Sequence, residues 1–303
     1  MAITEKQREA RAEGVGASEC AAILGLSPFA SAYDVWLEKT GKVVREESEQ
    51  TEAMEIGNAI EPTTAALAEK RLGCKLVKPT GTYKAENGVM FANLDRQIDK
   101  AARGFPICEL KSTWITDGWG EPGTDEVPEA VMIQVHAQML CSDARVAHVA
   151  RMLGRFGFSV SLFRVPFNAE LARLIEDRVC DFWQRNVEKD IPPADSLPSP
   201  EMVSRVPRVT GKVAPIEDRL IVAFAGARDL RLQAEKIEEE ARTKLLTAMG
   251  DAEVGQGSAM LAQFKEVSQR KLDASALKAA HPAIVAEFTR TTSYRKLTTK
   301  EIN

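Results

Sequence analysis

The segments VMFANLDRQIDK (residues 89–100) and FPICELKSTW (residues 105–114) decide how this chain is read. Both are rich in the apolar, β-branched and aromatic residues that favour strands, and side chains alternate faces along a strand. Glu109 and Lys111 therefore project to one side, while Cys108 and Leu110 point to the other. Upstream, the run from Val89 to Leu94 predicts another strand with Asp95 at its end. The connection, with Arg103-Gly104 as its turn, is short enough for antiparallel pairing. Two carboxylates and one ammonium then converge on one patch.

That trio suits hydrolysis of a phosphodiester. A hard cation such as magnesium takes carboxylate, carbonyl and water oxygens, polarises a phosphate and lowers the pKa of a bound water. Asp95 and Glu109 supply carboxylates, and the carbonyl of Leu110 is a candidate third oxygen. Manganese accepts the same oxygen ligands and is expected to substitute. Lys111 offers a charge that orients the attacking water, helps deprotonate it or stabilises charge developing on phosphorus. An isolated E-x-K on a strand is more often a solvated surface pair, so the reading needs support from the rest of the chain. A second acid, Asp99, shares the face parity of Asp95 and competes with it as the metal ligand.

Three further segments supply that support. In RAEGVGASECAAILGLSPFASAYDVWLEKTG (residues 11–41), Ser18 can cap a helix over Glu19 to Leu24. A helix N-terminus with a serine hydroxyl and a nearby Arg11 would bind phosphate. MEIGNAIEPTTAALAEKRLG (residues 54–73) lies in an amphipathic helix predicted over 52–72, with Ile56, Ile60, Ala65 or Ala66, and Leu67 at helical spacing. Glu61 sits on or beside that stripe and needs a partner, either a metal-bound water or a basic side chain. PEAVMIQVHAQMLCSDARVAHVARMLG (residues 128–154) opens with a nearly all-apolar helix that carries Gln134 and Gln138 one turn apart. Buried amides require hydrogen bonds. His136, with no second His or Cys at ligand spacing, reads as a packed histidine.

Taken in order, these segments resemble the YqaJ-like viral recombinases, lambda-type 5′ to 3′ exonucleases within the PD-(D/E)xK nuclease superfamily. The resemblance covers about residues 8–193. It implies an α/β fold, a mixed central β-sheet flanked by helices, known as a restriction-endonuclease-like core. By the same resemblance Asp95 and Glu109 bind metal, Lys111 and Gln134 handle the water, and Glu61 is an active-site acid. Arg11 and Ser18 would hold the terminal 5′-phosphate. The implied substrate is a double-stranded DNA end, the implied partner a single-strand annealing protein, and the implied assembly a trimeric ring. An endonuclease of the same superfamily and a non-cleaving DNA-end or partner-binding module are the competing readings. Against the second, Asp95, Glu109, Lys111 and Gln134 are all present.

Composition sets the surroundings. The 303 residues carry a net charge of -4, which advertises no broad phosphate-binding surface. Residues 265–303 hold eight basic residues against four acidic ones, so charge is distributed unevenly. There is no apolar run of signal-peptide or membrane-span length, and a cytoplasmic protein of a bacterial or phage-infected host cell is expected. The five scattered cysteines lack any C-x-x-C and read as small core hydrophobes in a reducing compartment. Prolines 192, 193, 198 and 200 end the regular elements, giving a nuclease domain over 1–193, a linker over 194–215 and an extension over 216–303. The extension reads as a long helix over 216–249 ended by Gly250, a hairpin within 252–267, a helix over 274–288 and a strand near 293–297, a small α+β unit.

Overall fold

The computed structural model describes residues 13–43, 52–98, 104–154, 157–290 and 296–299. The chain divides into two compact units, Met1–Val209 and Thr210–Asn303. In the first, β1 (Val15–Gly16) leads through a 3-10 turn (Ala17–Glu19) into the short α1 (Cys20–Ile23). Val15 N–H donates to Val89 O at 2.8 Å, and a Cβ on Gly14 would lie 2.3 Å from that same oxygen. Glycine is therefore required where the two backbones meet. Ser31 caps α2 (Ala32–Lys39) by accepting from Asp34 N–H.

Helix α3 (Glu52–Leu72) runs through Pro62, as its sequence predicted. Of its expected stripe Ala65 is buried, but Ile56 and Leu67 are exposed, and Thr64 and Ala68 are buried in their place. Ala68 packs with Ile60 and Leu72 against Cys108, Ala150, Met152 and Val160, which sets the face turned to the sheet.

Short strands follow: β2 (Leu76–Val77), β3 (Tyr83–Lys84), β4 (Met90–Ala92) and β5 (Arg96–Ile98). Then come β6 (Ile107–Thr113), α4 (Glu129–Ser142), the long hairpin β7 (Val146–Gly154) and β8 (Phe158–Pro166), and α5 (Ala169–Phe182). The main sheet has the order β2-β5-β6-β7-β8, with β6/β7 parallel and the other pairs antiparallel. Helix α3 covers one face. Helices α4 and α5 cover the other, burying Val135, Met139, Ile175 and Val179 against Val149 and Phe163. The expected α/β architecture, a mixed sheet flanked by helices, is the one observed.

One strand expectation is corrected. Residues 89–98 are two strands in two sheets: β4 pairs with β1 and β3, and β5 pairs with β6. Met90, Phe91 and Ala92 are all buried, so this stretch lacks the two-faced alternation that would keep it in the main sheet. The chain turns at Asn93, whose Oδ1 accepts from Thr82 Oγ1 at 2.8 Å.

The stretch read as a linker contains α6 (Pro200–Arg205). Met202 is buried with Val35, Trp36 and Phe182, and Ser199 N–H donates to Asp34 Oδ1 at 2.8 Å, so this part is packed onto the first unit.

The second unit holds α7 (Asp218–Met249), ended by Gly250 at φ 61°, and the hairpin of β9 (Val254–Gln256) and β10 (Leu261–Gln263). The predicted helix over 274–288 is two helices, α8 (Ala274–Ala280) and α9 (Pro282–Phe288). Pro282 disfavours helical backbone at His281 and breaks them apart. Of the predicted strand near 293–297, residues 293–295 lie outside the described residues and 296–299 form no regular element. Among the described residues, no helix is long and apolar enough to cross a membrane.

Candidate active site

The site is built at an exposed stretch of strand edge. Strand β5 pairs with β6 only through Ile107 and Cys108, which leaves the edge of β6 beyond them open on that side. Asp95, immediately before β5, fills the gap: its Oδ2 accepts from Leu110 N–H at 2.9 Å. A strand residue directs its N–H and C=O to the same neighbour, so the Leu110 carbonyl also faces the Asp95 side. Asp95, Glu109 and Leu110 are thus brought together.

Period-2 alternation places Glu109 and Lys111 under α4, and Cys108 and Leu110 under α3. Glu109 is only 4% exposed. Its Oε1 accepts from Gln134 Nε2 at 2.6 Å and from Lys111 Nζ at 2.8 Å, and its Oε2 accepts from Gln138 Nε2 at 2.7 Å. Lys111 Nζ also donates to Gln134 Oε1 at 2.8 Å, closing a ring of three side chains. Gln138 had the appearance of a support or DNA-facing residue; it is buried and holds Glu109. Its position four residues after Gln134 was the available signal.

Burial costs a carboxylate its water, and the Glu109 charge adds to that cost. Together they push the Asp95 carboxyl up to about 8, against the pull of the Leu110 N–H and the Lys111 charge. Burial pulls Lys111 down, but the Glu109 carboxylate and Asp95 outweigh it and hold the ammonium above its ordinary value.

Glu61 sits beside this cluster with two basic partners, Arg96 NH1 at 2.8 Å and Lys78 Nζ at 3.1 Å. Burial raises its carboxyl, yet the hydrogen bonds from Lys78 and Arg96 leave it below the usual range. Arg96 also donates to the Asp95 carbonyl at 2.6 Å, tying Glu61 to the backbone at Asp95. The basic partner foreseen for Glu61 is present twice over. Neither Arg96 nor Lys78 was singled out in the sequence.

Ser18 does not cap a helix. It is exposed within the 3-10 turn, whose start is held instead by Gly16 N–H donating to Glu19 Oε2 at 2.7 Å. That turn packs on α4. Arg11 and Asp99 lie outside the described residues. His136 is a packed histidine: Nδ1 bonds Met132 O at 2.9 Å, Nε2 accepts from Asn168 N–H at 3.2 Å, and burial lowers its pKa.

The residues fit a hard, oxygen-seeking cation. Two carboxylates and a backbone carbonyl share one edge, and magnesium is commonly bound through one or two carboxylates with water completing its shell. Among the described residues, no group of three or more His, Cys, Asp or Glu side chains is placed to hold a metal ion, so the backbone carbonyl and water would have to complete the shell.

An α/β protein whose mixed sheet presents two carboxylates, a lysine and a glutamine at one strand edge is thereby defined. Residues 7–145 match the model of the YqaJ-like viral recombinase domain. Glu61, Asp95, Glu109, Lys111 and Gln134 all fall inside it. The chain is 26% identical over 309 residues to uncharacterized protein YqaJ of Bacillus subtilis (strain 168), covering 97% of this chain and 93% of that protein. Among solved structures it is similar to an alkaline exonuclease (LHK-Exo) from Laribacter hongkongensis, with TM-score 0.48 and 20% identity, covering 62% of this chain and 94% of that one. A phage related exonuclease from Haemophilus somnus 129PT matches at TM-score 0.44 and 19% identity, covering 58% of this chain and 96% of that one.

Proposed function

We propose that this chain is a magnesium-dependent DNA exonuclease that digests linear duplex ends 5′ to 3′ and leaves 3′ single-stranded tails for phage-type recombination. The observation that carries the reading is the ring of Glu109, Lys111 and Gln134 beside Asp95 at the Leu110 amide.

Asp95, Glu109 and the Leu110 carbonyl would hold the cation, which when bound polarises the phosphate and acidifies water. The remaining roles fall to the chain's own groups. Lys111 is held as an ammonium, so it donates to the reacting phosphate or orients the water and does not act as a resting base. Gln134 fixes the Lys111 ammonium and one oxygen of Glu109 in a single geometry. Gln138 secures the other oxygen. Arg96 and Glu61 brace the backbone at Asp95. Hydrolysis forms a bond from the water oxygen to phosphorus and breaks the bond to the leaving sugar oxygen.

Manganese substitutes for magnesium in this account, Arg11 and Ser18 contact the 5′-phosphate, and a single-strand annealing protein takes up the product tail. The working assembly is a trimeric ring around duplex DNA, and a monomeric mass by light scattering at micromolar concentration would contradict that part. Digestion of linear duplexes with and without a 5′-phosphate tests the end preference. Faster loss of the phosphorylated strand is expected, and equal rates would remove the 5′-phosphate role.

A further inference from the structure

Arg151 is a cation buried beside the candidate active site. It lies on β7 in register with Lys111 on β6 and Ser161 on β8, so its side chain leaves the same face of the sheet as Lys111, about one strand spacing (~5 Å) away. It is 8% exposed, and its Nε is buried with no hydrogen-bond partner. Among the described residues no carboxylate pairs with it. Its contacts are aromatic: the guanidinium carbon lies 4.9 Å from the Trp119 ring centre and 5.3 Å from that of Phe163.

The aromatic wall is held deliberately in place. The loop after β6 is laced to the edge of β8 by Gly123 N–H to Leu162 O at 2.7 Å and Arg164 N–H to Thr124 O at 2.9 Å. This seats Trp119 against Phe163, with ring centres 5.0 Å apart. Cation–π contact offsets only part of what it costs to take an ion out of water. The rings alone do not balance the charge. Consistent with this, burial by itself pulls the Arg151 guanidinium below its ordinary value, with no neighbouring anion to hold it up.

We propose that Arg151 is a further phosphate-binding residue, contacting a backbone phosphodiester of the nucleic acid strand that lies across the Lys111 edge. The inference rests on the nuclease reading. A planar guanidinium forks onto two phosphate oxygens, and the flanking rings fix the plane of that fork. Lys111 shares its charge with Glu109 and Gln134, so a second cation in the same row adds to what Lys111 offers the strand.

The test compares the full chain with Arg151→Met and Arg151→Lys. Binding of a 5′-phosphorylated duplex is read by fluorescence anisotropy across a salt series, with calcium replacing magnesium to prevent cleavage. Arg151→Met is expected to weaken binding tenfold or more and to reduce the slope of log Kd against log salt by about 0.9, one phosphate's worth. Its melting temperature should equal or exceed the parent's, because the uncompensated charge is gone. Arg151→Lys should keep most of the slope and lose part of the affinity. An unchanged salt slope in Arg151→Met overturns the proposal, and a lowered melting temperature beside it would assign Arg151 to packing. A parent chain that neither binds nor digests duplex DNA sinks the nuclease reading and the proposal with it; a parent that digests DNA beside a variant with unchanged slope sinks the arginine's role alone.

Discussion

Lys111→Ala is expected to slow turnover on linear duplex DNA by two to three orders of magnitude, about 2.7–4 kcal/mol of transition-state stabilisation, with the fold retained. The side chain is 29% exposed, so it faces the opening of the site while its ammonium is gripped from within. Glu109 and Asp95 keep it charged, and a fixed charge costs no reorganisation when negative charge builds on the phosphate. The variant leaves Glu109 its two glutamine donors, so the sheet and α4 should stay in place. Single-turnover kinetics at saturating DNA, with circular dichroism as the check on folding, reads the effect. A loss below tenfold would mean the charge does not sit at the reacting phosphate.

Magnesium binding should be coupled to proton release. The Asp95 carboxyl titrates near 8 in the metal-free protein against 3.8 as its ordinary value. The folded state therefore holds the extra proton between those limits. Stability from this group is fully present below about pH 4 and is lost as pH rises through about 8, with a slope of up to about 1.4 kcal/mol per pH unit. A cation must displace that proton, so magnesium affinity should rise about tenfold per unit as pH increases towards 8 and level off above it. Above pH 8, magnesium at a hundredfold over its Kd should restore about 2.7 kcal/mol. Calorimetric titrations in buffers of different ionisation enthalpy count the released proton. Affinity independent of pH from 6 to 8 would remove Asp95 from the ligand set, and Asp95→Asn should abolish the pH dependence.

The site was legible wherever a local period carries the information. Alternation alone put Glu109 and Lys111 on one face, and helical spacing put Gln134 and Gln138 on another that meets it. Where a partner is set by tertiary contact, the letters were silent. Nothing local says that Arg96 reaches Glu61 from 35 residues away. The split of residues 89–98 into two sheets was missed because the apolar run up to Leu94 reads as a strand without saying which neighbour it pairs with, and polar Arg96-Gln97 carries no strand signal of its own. Ser18 was read as a cap because serine favours that position, but a 3-10 turn over Ala17–Glu19 precedes the helix and places Ser18 inside the turn instead of at the helix start. Arg151 reads as an ordinary basic residue on a strand, and only the burial of its guanidinium between aromatic rings makes it unusual.

The nuclease account stands most directly on one digestion. Purified chain in magnesium is incubated with a linear duplex labelled separately on each strand and with a covalently closed circle of the same sequence. The account predicts that the linear DNA is shortened progressively from its 5′ ends to leave 3′ tails, that the closed circle stays intact, and that chelation of the metal stops both strands' decay. A closed circle cut as fast as the linear form, or linear DNA untouched in magnesium and manganese alike, would contradict it.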